Sequence, residues 1–85
     1  MKIKILKALA DGTRLRILER IARKEICACK LPALVGKTQP AVSQHLSVLL
    51  DAGLVRMRKD GKKRIYSVSE KGGKVLGDIS KWQEC

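Results

Sequence analysis

Apolar positions recur along this chain with two different periods, and the change of period divides it. From Thr38 to Gly53 (TQPAVSQHLSVLLDAG), Val42, Leu46, Leu49 and Leu50 fall at i, i+4, i+7 and i+8. That spacing is the stripe of a helix that buries one face. Thr38 stands where an N-cap is needed, Pro40 falls in the first turn where its missing N–H is harmless, and Gly53 can take the left-handed conformation that ends a helix. After Gly53 the period shortens to two. Leu54–Lys59 alternates, with Val55 and Met57 inward and Arg56 and Arg58 outward, and Arg64–Val68 returns with Tyr66 and Val68 inward. Asp60–Gly61 between them is a dipeptide favoured in tight hairpin turns.

The segments before Thr38 read as helices. Ile3, Leu6, Leu9 and Ala10 suggest a short first helix, with Lys2, Lys4 and Lys7 off the stripe. Asp11 reads as the N-cap of a second, from about Gly12 to Arg23, whose buried side is Leu15, Leu18, Ile21 and Ala22. Its other side carries Arg14, Arg16, Arg20 and Arg23, a solvated face in preference to a phosphate-contacting one, on which Glu19 and Arg23 are spaced to pair. Lys24–Glu25 is a break, and EICACKLPALVG then predicts a short third helix that Gly36 ends. Two helices joined through Gly36, Lys37 and Thr38 make a helix-turn-helix, with the second as recognition helix. A basic hairpin directly after it is a wing. Ser69 opens a last helix with Val75, Leu76, Ile79 and Trp82 on one side. Gly72, Gly73 and Gly77 lower its intrinsic propensity, so it needs packing to persist.

Charge gives the pattern its partner. The 85 residues hold 19 Lys and Arg against 8 Asp and Glu, a net charge of +11, which calls for a polyanion: nucleic acid or an anionic membrane surface. No apolar run approaches the roughly 18 residues of a spanning helix. MKIKILKALA carries lysines through its apolar residues and lacks a signal-peptide core, so a cytoplasmic location with reduced cysteines is expected, without membrane association. Tyr66 and Trp82 are the only aromatics, which argues against the stacking platforms of single-strand and RNA binders.

The polar side of the Thr38–Gly53 helix is unusual in a chain that is 32% charged. Pro40, Ser43, Gln44 and Ser47 project from it, Gln39 lies at its exposed start, and no Lys, Arg, Asp or Glu occurs from Thr38 to Leu50. Ser and Gln are short neutral groups able to read base edges in a major groove. Lys37 and Thr38 precede that face. Six basic residues, Arg56, Arg58, Lys59, Lys62, Lys63 and Arg64, crowd the hairpin against a single Asp60. The expected DNA contacts are Lys37, Thr38, Gln39, Pro40, Ser43, Gln44 and Ser47 from the helix-turn-helix, and Arg58, Lys62, Lys63 and Arg64 from the wing.

Three cysteines are open to two readings. Cys27 and Cys29, at the start of the third helix, are either small buried hydrophobes or a thiolate pair favoured by a helix N-terminus with Lys24 and Lys30 nearby. In a regular helix i and i+2 diverge by about 200°, so they share a ligand only if that turn is irregular or extended. Cys85 is the last residue. His45, the sole histidine, flanks the apolar stripe beside Val42 and Leu49 and fits a partly buried, hydrogen-bonded role better than metal ligation. No carboxylate pair, Ser/His/Asp set or phosphate loop suggests an enzyme.

These segments, LKALADGTRLRIL, EICACKL and TQPAVSQHLSVLLDAGLVRMRKDGKKRIYSV, resemble the ArsR/SmtB family of winged helix-turn-helix repressors over Leu6 to about Val68. EICACKL is similar to the family's ELCVCDL metal-binding box, with the same C-x-C spacing. The resemblance implies a homodimer paired through its first and last helices that represses an operator until an ion binds. It places base contacts on Gln39, Pro40, Ser43 and Gln44, and it makes Cys27 and Cys29 ligands. Arsenic-sensing members hold As(III) or Sb(III) by three cysteine sulfurs, often as C-x-C-x-x-C. The third position here is Pro32, leaving Cys85, from either subunit, as the candidate third ligand. The family's other zinc site uses Asp and His pairs on the last helix, where this chain has Asp78 and no histidine.

The expectation is a mainly α winged helix-turn-helix, about five helices with a two-stranded wing, in one domain over 1–85. Within it the helix-turn-helix spans about 27–52, the wing about 54–68 and the dimerisation helix, anchored by Trp82, about 69–83. The function expected is a sequence-specific repressor released by As(III)/Sb(III) or a Cd(II)-like ion, with no obligatory cofactor. Two alternatives stay open: a thiol-redox repressor of the same fold, and a winged helix used for protein assembly.

Overall fold

A computed structural model describes the backbone of residues 2–83 and the side chains of residues 3–79. The order is helix α1 (Lys2–Leu9), helix α2 (Gly12–Arg23), strand β1 (Ile26–Cys27), a 3₁₀ turn (Ala28–Lys30), helix α3 (Leu31–Val35), helix α4 (Gln39–Asp51), strands β2 (Val55–Asp60) and β3 (Lys63–Val68), and helix α5 (Glu70–Gln83). This is a winged helix-turn-helix of five helices. Among the described residues no helix is long and apolar enough to cross a membrane.

The core lies where α2, α3, α4 and the sheet meet. Val42, Leu46 and Leu49 of α4 are buried against it, with Ile17, Leu18 and Ile21 of α2, Leu31 and Val35 of α3, and Tyr66 of β3. Two expectations shift here. Leu50 is 40% exposed, at the rim of the stripe. In α2 the buried face is centred on Ile17, with Leu15 and Ala22 only half-buried at its edges.

The first helix departs further. Ala8 is buried and Ile5 and Leu9 are half-buried, whereas the expected stripe residues Ile3 and Leu6 are 69% and 67% exposed and Ala10 is exposed too. KIKILKAL carries apolar residues on two faces, and α1 packs against both α2 and α4, with Ala8 buried and Ile5 and Leu9 half-buried. Ile3 and Leu6 are left as an apolar edge of the monomer.

EICACKL is not the start of a helix. Ile26 and Cys27 pair antiparallel with Tyr66 and Ile65, so the sheet has three strands in the order β1-β3-β2 rather than the two expected. Lys24 is already extended (φ −167°, ψ 140°), and the α-helix begins only at Leu31, with Pro32 in its first turn. Pro32 has no N–H to give the Ala28 carbonyl, as a helix begun at Cys27 would require. The segment pairs with β3 instead and turns through 3₁₀ geometry into α3, which Gly36 ends at φ 67°.

Two junctions fix the orientation of α4. At its start the Thr38 hydroxyl accepts from the Ala41 N–H at 3.3 Å. At its end Gly53 takes φ 77°, its N–H donates to the Leu50 carbonyl at 3.0 Å, and the Leu54 N–H donates to the Leu49 carbonyl at 3.0 Å. This is a Schellman closure, and its characteristic apolar contact is made by Leu49 and Leu54, both fully buried. Beyond it β2 pairs with β3 from Val55↔Val68 to Asp60↔Lys63. Gly61 and Lys62 form the two-residue loop, and a positive φ only at Gly61 (63°) is the pattern of a type II′ turn.

The last helix begins at Glu70, with Ser69 as its cap. The Ser69 hydroxyl accepts from the Gly72 N–H at 3.0 Å and donates to the Gly53 carbonyl at 2.6 Å, while the Ser69 N–H donates to the Leu54 carbonyl at 3.0 Å. The chain leaving the wing is thereby tied to the chain leaving α4.

Candidate nucleic-acid interface and thiol pair

Thr38, Gln39, Pro40, Ser43, Gln44 and Ser47 are all exposed, as is Lys37 in the turn before them. Burial of Val42, Leu46 and Leu49 forces that result, because the opposite side of the helix must face outward. The wing stands beside this face. Between them lies a cleft of about 420 Å³ into which Gln39, Ser43 and Ser47 project from α4 and Lys62, Lys63 and Arg64 from the hairpin. Gln44 sits outside the cleft on the exposed flank. Arg58 differs from the other wing cations, since its Nη2 donates to Glu25 Oε1 at 2.8 Å. That pairing fastens the root of the wing to the segment before β1.

The arginine face of α2 is only partly the solvated face expected. Arg14 donates from Nη1 to the Lys7 carbonyl at 2.7 Å and from Nε to His45 Nδ1 at 3.2 Å. One guanidinium thus satisfies the open end of α1 and touches the side of α4 away from the cleft. His45 is half-buried and hydrogen-bonded, as its place beside the stripe suggested. Arg20 donates to the Lys24 carbonyl at 2.9 Å. Glu19 and Arg23 make no ion pair. Asp11 accepts from the Arg14 N–H at 3.0 Å, and that bond holds its carboxyl below the usual value against some desolvation.

The two described cysteines lie at the floor of the same cleft. Cys27 ends β1 with extended backbone (φ −68°, ψ 136°), and the Cys29 N–H turns back to donate to Cys27 Sγ at 3.4 Å. The irregular turn that a shared ligand requires is therefore present. Cys27 is 8% exposed and Cys29 is exposed. The hydrogen bond from the Cys29 thiol lowers the Cys27 thiol below its ordinary value, reinforced by the Cys29 N–H, the Lys63 ammonium and the Arg64 N–H, against some desolvation. Cys29, which gives up its proton second, is raised by the same partner. The α-helix starts only at Leu31, beyond both cysteines, and the cation that β3 brings to them is Lys63.

Lys63 is the residue that sequence spacing alone could not connect to the cysteines. The signal lay in alternation: once Cys27 is a strand residue opposite Ile65, a basic residue two positions before Ile65 faces the turn after Cys27. Among the described residues no group of three or more His, Cys, Asp or Glu side chains is gathered to hold a metal. Cys27 and Cys29 form a two-sulfur donor set suited to a soft ion. Cys85 and the Trp82 side chain lie outside the described residues, and Asp78 is exposed on α5.

Residues 11–57, more than half of the chain, match the profile of bacterial regulatory proteins of the arsR family. The arsenical resistance operon repressor of Staphylococcus aureus is 41% identical over 75 residues, 88% of this chain and 69% of that protein. Three other curated relatives are 42–48% identical, and the chain spans 51–59% of their length. The crystal structure of NolR from Sinorhizobium fredii superimposes with a TM-score of 0.85 at 37% identity, covering 94% of this chain and 81% of that one. A homodimeric winged helix-turn-helix DNA-binding domain from Mycobacterium bovis, a fragment of residues 1–100, gives 0.88 at 26% identity, covering 96% and 77%. With the profile spanning the helix-turn-helix and the entry to the wing, and with relatives above 40% identity, the chain belongs to the arsR family of bacterial regulatory proteins.

Proposed function

We propose that residues 1–85 act as one winged helix-turn-helix unit that binds a double-stranded operator as a homodimer and represses transcription. In this reading α4, the second helix of the helix-turn-helix that α3 opens at Leu31, enters the major groove. Gln39, Ser43 and Gln44 meet base edges, Pro40 packs against them, and Lys37, Thr38 and Ser47 contact the sugar–phosphate wall. The wing over 54–68 lays Lys62, Lys63 and Arg64 along phosphates, with Arg58 held partly in reserve by Glu25. Dimerisation falls to α1 and the helix over 69–83. The exposed Ile3 and Leu6 supply apolar area for it.

The observation that carries the reading is the shared cleft. The polar face of α4, three wing cations and the thiol pair open into one space. A thiophilic ion on Cys27 and Cys29 therefore sits beside the groups that would hold DNA, and by linkage the ion weakens DNA by the factor by which DNA weakens the ion. The ion is an inducer, of the As(III)/Sb(III) or Cd(II) kind, and the arsenical resistance repressor of Staphylococcus aureus supports that choice. A thiol pair that takes a soft ion must stay reduced, which suits a reducing compartment such as the cytoplasm.

The test is a titration of reduced, metal-free protein with As(III), Cd(II) and Zn(II), following sulfur charge-transfer absorbance and operator release together. Absorbance without release would separate the thiols from repression, and operator binding no tighter than random DNA would remove the repressor assignment. A second reading, a thiol-redox repressor, is favoured by the direct Cys29-to-Cys27 hydrogen bond and the lowered Cys27 thiol. Release by peroxide with no ion affinity would select it.

A further inference from the structure

The donor set of the cleft leads beyond an ion held by protein alone. A trivalent metalloid forms three bonds to thiol sulfur, and the described residues supply two thiols, both lining the cleft; the Met57 thioether there has no proton to exchange. The open side of that pair is a space of about 420 Å³, within the range that small-molecule ligands occupy and far larger than a bare ion needs. Among the described residues no Asp or Glu lines the cleft, while Lys62, Lys63 and Arg64 do. Lys63 lies near enough to both thiols for its charge to act on each. An unshielded cation is poorly served by such walls, and a ligand bearing carboxylates is well served. Gln39 and Ser43 add neutral hydrogen-bonding groups on the facing side.

We infer that the thiol pair takes its trivalent metalloid together with a small anionic thiol, whose sulfur completes the ion's coordination and whose carboxylates lie on Lys62, Lys63 and Arg64. This rests on the ion-binding reading above and names the chemistry of the third ligand. The step balances without redox: As(OH)₃ exchanges three As–O bonds for three As–S bonds, to Cys27, Cys29 and the small thiol. Each sulfhydryl proton leaves with a hydroxide as water, three waters in all, and arsenic stays trivalent. Once seated, the adduct covers the cations and the α4 side chains that would contact DNA, so adduct and operator exclude each other by occupying one space.

The experiment compares As(III) affinity of the reduced chain in mercaptosuccinate, which carries two carboxylates, and in 2-mercaptoethanol, which carries none, at equal thiolate concentration. Arsenic X-ray absorption counts the As–S bonds. Expected are three As–S bonds in either thiol and about tenfold tighter binding with mercaptosuccinate, the scale of a few exposed charge pairs acting together. The Lys62→Ala/Arg64→Ala variant, which leaves Lys63 beside the thiols, should bring the ratio close to one while keeping As(III) binding in 2-mercaptoethanol. Equal affinity in the two thiols overturns the inference and leaves the two-cysteine site standing. Three As–S bonds in thiol-free buffer, falling to two in Cys85→Ser, overturn it by assigning the third sulfur to the protein. No As(III) binding in any buffer overturns the ion-binding reading itself.

Discussion

Gly72 of α5 rests against the carbonyl oxygen of Leu54, so closely that a Cβ at position 72 would lie well inside van der Waals distance of that oxygen. The Leu54 carbonyl also accepts from the Ser69 N–H, and Leu54 closes the end of α4. This one contact sets how near the last helix comes to the recognition helix. Gly72→Ala should therefore destabilise the fold by about 1–3 kcal/mol, as overpacking against backbone does. Gly73, one residue on, faces open space. Gly73→Ala should stabilise by up to about 1 kcal/mol through helix propensity alone. Urea unfolding of the two variants beside the parent reads both signs. Equal effects would mean that α5 does not sit against Leu54.

The Arg14–His45 hydrogen bond links α2 to α4, and Arg14 also closes the end of α1 through the Lys7 carbonyl. A double-mutant cycle with Arg14→Ala and His45→Ala should show a coupling of about 0.5–1.5 kcal/mol, the net value of an ordinary hydrogen bond, since this one is long at 3.2 Å and only part-buried. Arg14→Lys should recover little of it, because one ammonium nitrogen cannot occupy the separate Nε and Nη1 positions from which Arg14 donates. Additive single effects would show that the two side chains do not act together.

How much of this is legible in the sequence depends on what each residue answers to. Asp11, Thr38, Gly36 and Gly53 punctuate helices through local backbone chemistry, so α2 and α4 can be read nearly to the residue. The alternation of Val55, Met57 and Tyr66 marks the wing for the same reason. EICACKL reads as helical because its pairing partner, Ile65–Tyr66, lies some 40 positions on, and strand formation there is a tertiary event. The face of α1 is ambiguous because Ile3 and Leu6 are as apolar as Ile5 and Leu9, and only the packing of α2 and α4 separates them. The exposed polar face of α4 emerges by elimination from burial. The cleft that joins it to the thiols depends on β1, a strand that no local signal announces.

Affinity and sequence reading should divide between the wing and α4. Lys62→Ala, Lys63→Ala and Arg64→Ala together should weaken operator and random DNA alike. They should also flatten the dependence of log K on log salt by about 0.9 for each phosphate left without its cation. Arg58→Ala should do less, since Glu25 already holds that guanidinium at 2.8 Å. Gln44→Ala should instead cost about 1–3 kcal/mol on the operator and little on random DNA. Fluorescence anisotropy across a salt series with both DNAs measures all of these. A Gln44 variant whose operator-to-random ratio is unchanged would place the reading face elsewhere on α4.

Cys27 and Cys29 do different work, and their substitutions should separate it. Cys27 ionises first because the Cys29 thiol and N–H donate to its sulfur and Lys63 faces it, whereas Cys29 is held above its ordinary value. Cd(II) must displace the proton that Cys29 still carries, so its affinity should fall as pH drops through the lowered Cys27 value and rise with pH until Cys29 itself titrates. As(OH)₃ instead carries each thiol proton off as water, so As(III) affinity should not fall in the same way. In Cys29→Ser the hydroxyl still donates to Cys27, so thiolate absorbance should appear at nearly the parent pH. In Cys29→Ala that donor is gone, and the thiolate should appear at higher pH, nearer the ordinary thiol range. Both variants should bind operator almost as well as the parent and neither should release it on As(III) or Cd(II), because a single sulfur cannot hold the ion. A full switch from bound to free requires the ion to prefer the released form by about 5.5 kcal/mol. Release by As(III) in the Cys27→Ser/Cys29→Ser double variant would move the sensing site away from this turn. A Cys27 titration identical in the Ser and Ala variants would show that the Cys29 side chain does not donate to it.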